Sequence, residues 1–70
     1  MADIELDLED DLIAVDDHDR QQRLMASKNG DTWRVFEGSI NRSQLLSMRT
    51  TAETATHVLV ETLRWLAEDE

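Results

Sequence analysis

The run Asp16-Asp17-His18-Asp19 sets three carboxylates and an imidazole side by side, the residue types that could hold a hard cation. A calcium loop, however, needs ligands at alternating positions, a glycine at its sixth and a glutamate at its twelfth, and that pattern is missing. The run reads instead as a solvated acidic turn, with His18 an exposed imidazole beside a carboxylate. Nucleophilic catalysis has no better footing. Cysteine is absent, and Ser27, Ser39, Ser43 and Ser47 lie in no glycine-rich elbow and beside no evident base. Gly30 and Gly38 are eight apart and cannot form a phosphate-cradling loop. General-acid work requires a carboxyl in an apolar setting, whereas these acids cluster in solvated runs. A non-enzymatic protein is expected, with no cofactor and no metal.

Two constellations remain, and both bind rather than react. The first is the charge itself, −9 overall. Residues 1–19 carry nine acids and no Lys or Arg, residues 20–67 sum to +3, and the last three residues add −3. An acidic arm thus precedes a mildly basic body. Its carboxylates are spaced through Ile4, Leu6, Leu8, Leu12 and Ile13, so the arm has both the charge density and the aliphatic anchors to dock on a basic groove. Asp3, Glu5, Asp7, Glu9, Asp10, Asp11, Asp16 and Asp17 are the candidate contacts. The function expected is that of a small acidic binding or regulatory protein, of inhibitor or antagonist type, engaging the basic surface of a protein partner. A merely solubilising N-terminus is the plain alternative.

The second constellation is a helix, short turn, helix pattern. Residues 41–48 followed by residues 49–57 have the length and polarity of a helix-turn-helix, with Arg42, Arg49, Thr51, Thr54 and His57 as the groups that would meet DNA. The turn lacks glycine, Glu53 and Glu61 would repel phosphate, and affinity for DNA comes mostly from neutralised phosphates. A DNA-binding regulator with an acidic arm is therefore the second reading. A structural subunit of a larger assembly is the third.

These groups must be carried by a few short elements. Thr50 and Glu53 have capping-box spacing, which starts a long C-terminal helix over residues 50–67. Ala52, Ala55, Leu59, Leu63 and Leu66 recur on one stripe of it, Val58 and Trp65 on a second beside the first. Leu59, Leu63 and Leu66 are expected to pack inward, and Val58 and Trp65 to complete the core or close a homodimer. Asn41 and Gln44 form another capping box before a short helix over residues 42–48.

Upstream, Asn29-Gly30 suits a type I′ hairpin turn that would set Lys28 opposite Asp31, Ala26 opposite Trp33 and Leu24 opposite Val35. The competing reading makes residues 19–28 a helix with Gly30 at its C-cap, while residues 31–37 read as strand either way. Ile4, Leu6 and Leu8 alternate with Asp3, Glu5 and Asp7, which suits a strand with one wet face or a disordered segment that folds on a partner. Residues 12–15 read as a buried strand or a first helical turn.

The fold class expected is α+β: an antiparallel hairpin or three-stranded sheet, then a short helix and a long C-terminal one. Residues 1–19 are the arm and residues 20–70 a single small domain. Seventy residues give a small core, and without cysteine no disulfide supplements it, so a dimer is expected. No apolar run spans a bilayer and the N-terminus lacks a basic, apolar-blocked leader, which points to a cytoplasmic protein without a membrane partner. One Lys against six Arg fits a halophilic proteome, and high-GC coding equally well.

Overall fold

Period-two alternation marks several stretches of the chain, and the computed structural model, which describes residues 3–41 and 46–68, joins them in one antiparallel sheet. The strands are β1 (Ile4–Leu8), β2 (Leu12–Asp17), β3 (Gln22–Asn29), β4 (Thr32–Ser39) and β5 (Ser47–Ala52). They pair in chain order as a five-stranded meander. One helix, α1 (Ala55–Ala67), packs on one face. From the strands Ile13, Val15, Leu24, Ala26, Trp33, Val35 and Ala52 point toward it, and they meet Val58 and Trp65 in the core with Leu66 at the margin. The register carries Leu12, Ala14, Met25 and Phe36 onto the opposite face.

This architecture corrects the expected fold class. In place of a small sheet followed by a short and a long helix, the described residues form a mostly β structure with a single 13-residue helix. The difference arises at residues 47–52. Thr50 and Thr51 are β-branched and pair with Val35 and Arg34 of β4, so they complete the sheet rather than open a helix. The cap moves to Thr54, whose Oγ1 accepts the His57 amide at 3.1 Å. Of the predicted short helix, residues 42–45 lie outside the described residues, and Ser47 and Met48 belong to β5. The supposed turn and recognition-helix start at Arg49 to Thr51 are therefore strand.

Where the sequence left a choice, the strand form is found. Residues 4–8 and 12–17 are β1 and β2, and residues 22–29 form the first arm of the hairpin. Its register differs from the predicted one by two residues: Asn29 faces Thr32, Lys28 faces Trp33 and Ala26 faces Val35. Gly30 and Asp31 form the turn, with positive φ at Gly30 (67°) and not at Asp31. That suits a turn with glycine first, as in type II′. Because side chains alternate every residue, a two-residue slip leaves Leu24, Ala26, Trp33 and Val35 on their expected face.

The helix is also rolled away from its leucines. Val58, Thr62 and Trp65 are buried, while Leu59 is 42% and Leu63 66% exposed. Thr62 tolerates burial because its hydroxyl donates to the Val58 carbonyl at 2.9 Å. Two guanidinium groups pin this roll. Arg20, in the turn after β2, donates to the Glu68 carbonyl at 2.9 Å and lies over the Trp65 ring, 5.4 Å from its centroid. Arg49, on β5, donates to Glu61 at 2.6 Å. Among the described residues no helix is long and apolar enough to cross a membrane.

The observed roll has a direct consequence for stability. Leu24→Ala, at a fully buried site, is expected to lower the unfolding free energy by about 2–5 kcal/mol. Leu63→Asp is expected to change it by less than about 0.5 kcal/mol, the usual range for an exposed position. Urea titration of the two variants checks both, and a large loss at Leu63 would show that this face packs inward.

Candidate functional site

The carboxylates singled out in the sequence divide into two groups once the sheet forms. Asp16 and Asp17 end β2 and are held internally. Asp16 faces Arg23 directly across the β2–β3 ladder and accepts from its Nε at 2.7 Å and its Nη2 at 3.0 Å. This forked hydrogen bond holds the Asp16 carboxyl below the ordinary carboxylate range and raises the Arg23 value in turn. Asp17 points to the helix side and is almost wholly buried. It accepts from Arg20 Nε at 2.6 Å and from the Asp19 and Arg20 amides at 3.1 and 3.2 Å. The acidic turn is thus stapled by its own aspartate. Its companion His18 reaches Glu5 of β1 at 2.5 Å, and Asp19 accepts the Asp3 amide at 3.2 Å.

The remaining acids stay in solvent. Asp3, Glu5, Asp7, Glu9, Asp10 and Asp11 are all exposed, on β1 and on the turn that joins it to β2. Glu9 closes that turn with its amide on the Leu12 carbonyl at 2.7 Å. Glu5 and Asp7 share the sheet face away from the helix, because their partners Asp16 and Ala14 lie there. Ile4, Leu6 and Leu8 share the helix face with Asp17, Val15 and Ile13. They are 38%, 57% and 57% exposed, since α1 does not reach over them. Ile4, Leu6, Leu59, Leu63 and Leu66 instead line a shallow apolar groove between β1 and α1.

The residues expected to form a dimer or core face are therefore split. Val58 and Trp65 are core, Leu66 is marginal, and Leu59 and Leu63 are groove. Sequence reasoning did not connect this groove to Ile4 and Leu6. The signal was present in parity, because β1 alternates in step with β2 and must set its aliphatics beside Val15.

The residues considered for DNA are dispersed by the fold. Arg42 lies outside the described residues. Arg49 is enclosed by three glutamates, donating to Glu61 at 2.6 Å, to Glu37 at 3.1 Å and to both carboxylate oxygens of Glu68. These partners, Glu68 foremost, raise the Arg49 value despite its burial, and Arg49 lowers that of Glu68. Thr51 and His57 flank a cleft between β5 and α1 that also holds Glu53 and Glu61, while the Thr54 hydroxyl is occupied as the helix cap. Among the described residues no group of three or more His, Asp or Glu is arranged to hold a metal ion. No protein-family model, curated protein or solved structure matches the chain.

Two measurements follow from the internal ion pairs. Asp17 has a folded value below its ordinary 3.8, chiefly through the Arg20 hydrogen bond, so its contribution is complete above that pH and fades as pH falls through the depressed value. Asp17→Asn is expected to be less stable than wild type at pH 7, with the gap narrowing once pH drops below about 4. Unfolding curves across pH check this, and a pH-independent gap would contradict it. Arg49→Met leaves Glu37, Glu61 and Glu68 converging without their cation. A loss of about 2 kcal/mol is expected, between the limits for exposed and buried pairs. Thermal unfolding in about 1 M salt should recover part of it, because screening then acts within about 3 Å.

Proposed function

We propose that this chain is a non-enzymatic binding protein that engages a basic surface of a protein partner, acting as an inhibitor or antagonist of that surface. One observation carries the reading. The carboxylates of residues 3–11 are all exposed on an ordered strand and turn, while Arg20, Arg23 and Arg49 are occupied in ion pairs with other acids. The local field is therefore negative and fixed in shape. A rigid array of like charge speeds encounter with a partner of opposite sign and rejects partners of the same sign, nucleic acid among them. Presentation on a strand adds to this, because the charges need not be ordered when the partner arrives. Pairing together with burial removes Asp16 and Asp17 from the contacts and leaves the array to Asp3, Asp7, Glu9, Asp10 and Asp11, with Glu5, which meets His18 but stays exposed.

The test is capture from an extract of the source organism on immobilised protein, beside a column of the triple variant Asp7→Lys, Asp10→Lys, Asp11→Lys. These positions are exposed, and their reversal leaves the ion pairs of β2 and α1 in place. Proteins of high isoelectric point should be held by the wild type, released as salt rises from about 0.1 to 1 M, and absent from the variant column. Retention of the same proteins on both columns, or of no basic protein on either, would count against the proposal.

A further inference from the structure

β1 is one of the two edge strands of the sheet, β5 being the other, and its backbone is half used. The Asp3 carbonyl accepts the His18 amide at 2.9 Å, and the Glu9 amide donates to the Leu12 carbonyl at 2.7 Å. In an antiparallel ladder the hydrogen-bonded residues alternate, so the odd-numbered residues of β1 turn their amides and carbonyls toward β2. Ile4, Leu6 and Leu8 consequently turn theirs outward, where among the described residues no strand meets them. The same three residues place their side chains on the helix face, beside the groove walled by Leu59 and Leu63. The intervening Glu5 and Asp7 place carboxylates on the opposite face. Free backbone, an apolar groove and a carboxylate flank therefore coincide along one edge.

We infer that this edge accepts an extended, basic, amphipathic segment of a protein partner as a sixth strand. Main-chain hydrogen bonds would form to Ile4, Leu6 and Leu8, as in other cases of strand addition. Alternate side chains of the segment fall on alternate faces. Those on the helix face must be aliphatic, to cover Leu6, Leu59 and Leu63. Those on the other face must be Lys or Arg, to stand opposite Glu5 and Asp7. A second copy of this chain is a poor occupant. Symmetric pairing of two β1 strands about Leu6 would set Glu5 of each directly opposite Asp7 of the other, and like charges so placed destabilise a ladder. The inference rests on the binding reading above and specifies the occupant of the same site.

The experiment uses the full chain and three short peptides of equal charge. The first alternates lysine and valine, the second has the same composition in a lysine block and a valine block, and the third is the first with N-methyl groups on the amides that would face β1. Binding is followed by calorimetry, and self-association of the chain by sedimentation. The alternating peptide should bind, with the block and N-methylated peptides weaker by about tenfold or more, since losing two hydrogen bonds suffices for that factor. Methylation of the amides on the other edge should have little effect. Leu63→Asp should weaken the alternating peptide while circular dichroism stays that of the wild type, and the block peptide should be less affected. Equal binding of all three peptides would overturn strand addition and leave charge-driven binding standing. Binding of none at low salt would overturn both. A dimer that the alternating peptide cannot dissociate would also overturn the inference, by giving the edge to a second copy.

Discussion

The contact on which the rest of this structure depends is the one Arg20 makes with the end of the helix. A 13-residue helix is marginal in water on its own, and a meander needs something to cover its apolar face. Each element is therefore conditional on the other. Arg20 joins them by accepting orientation from Asp17 below and donating to the Trp65 and Glu68 carbonyls above. Its positive charge lies where the helix carries its partial negative charge, and its plane covers the Trp65 ring. The Asp17 carboxylate can be buried only because this cation and two amides satisfy it. Arg49 provides the second anchor, through Glu61 and Glu68. With both anchors set, the roll of α1 is fixed, and so is the choice of which aliphatics meet the sheet.

That order of causes explains which parts of the fold were legible in the sequence. Alternation is a local signal, and it identified the face carried by Leu24, Ala26, Trp33 and Val35 even though the turn was placed one residue early. It also offered a strand at Ile4 to Leu8. Helix start and helix roll are different in kind. A threonine followed three residues later by glutamate describes Thr50 as well as it describes a cap, and only pairing of Thr50 with Val35 decides for strand. Leucine content favoured the stripe of Leu59, Leu63 and Leu66, but Val58 and Trp65 lie on the side that Arg20 and Arg49 turn toward the sheet. Neither arginine announces this in sequence, because its partners on the helix and at its end are 12 to 48 residues away. Gly38 belongs with them, since a side chain there would meet Leu46 at 2.7 Å, a closeness only the folded chain reveals.

The acidic segment shows the same division. Charge sign and density were plain, and so was the alternation with aliphatics. The pairing of Asp16 with Arg23 was hidden, because it depends on a register across two strands. An acidic segment without Lys or Arg thus concealed two populations: carboxylates that stabilise the β2 turn and carboxylates that define a surface. Their separation narrows the candidate site from the whole segment to β1 and the turn that follows it.

A sheet edge of this kind is normally a hazard, since unpaired amides invite any passing strand. Charge on the edge is one remedy, and Glu5 and Asp7 supply it against copies of the same chain. It is not a complete remedy here. A purely protective design would place polar side chains on both faces of the edge strand, yet the helix face of β1 keeps three large aliphatics in water beside two exposed leucines of α1. A different roll of the helix would bury those leucines, at roughly 1.5–3 kcal/mol per side chain, only by turning the buried Val58 and Trp65 out of the core. The anchors at Arg20 and Arg49 forbid that roll. Self-pairing is thus opposed by charge while an apolar surface is left open next to it, and the proposed occupant, a basic strand with aliphatics in the right alternation, would meet complementary groups on both faces at once.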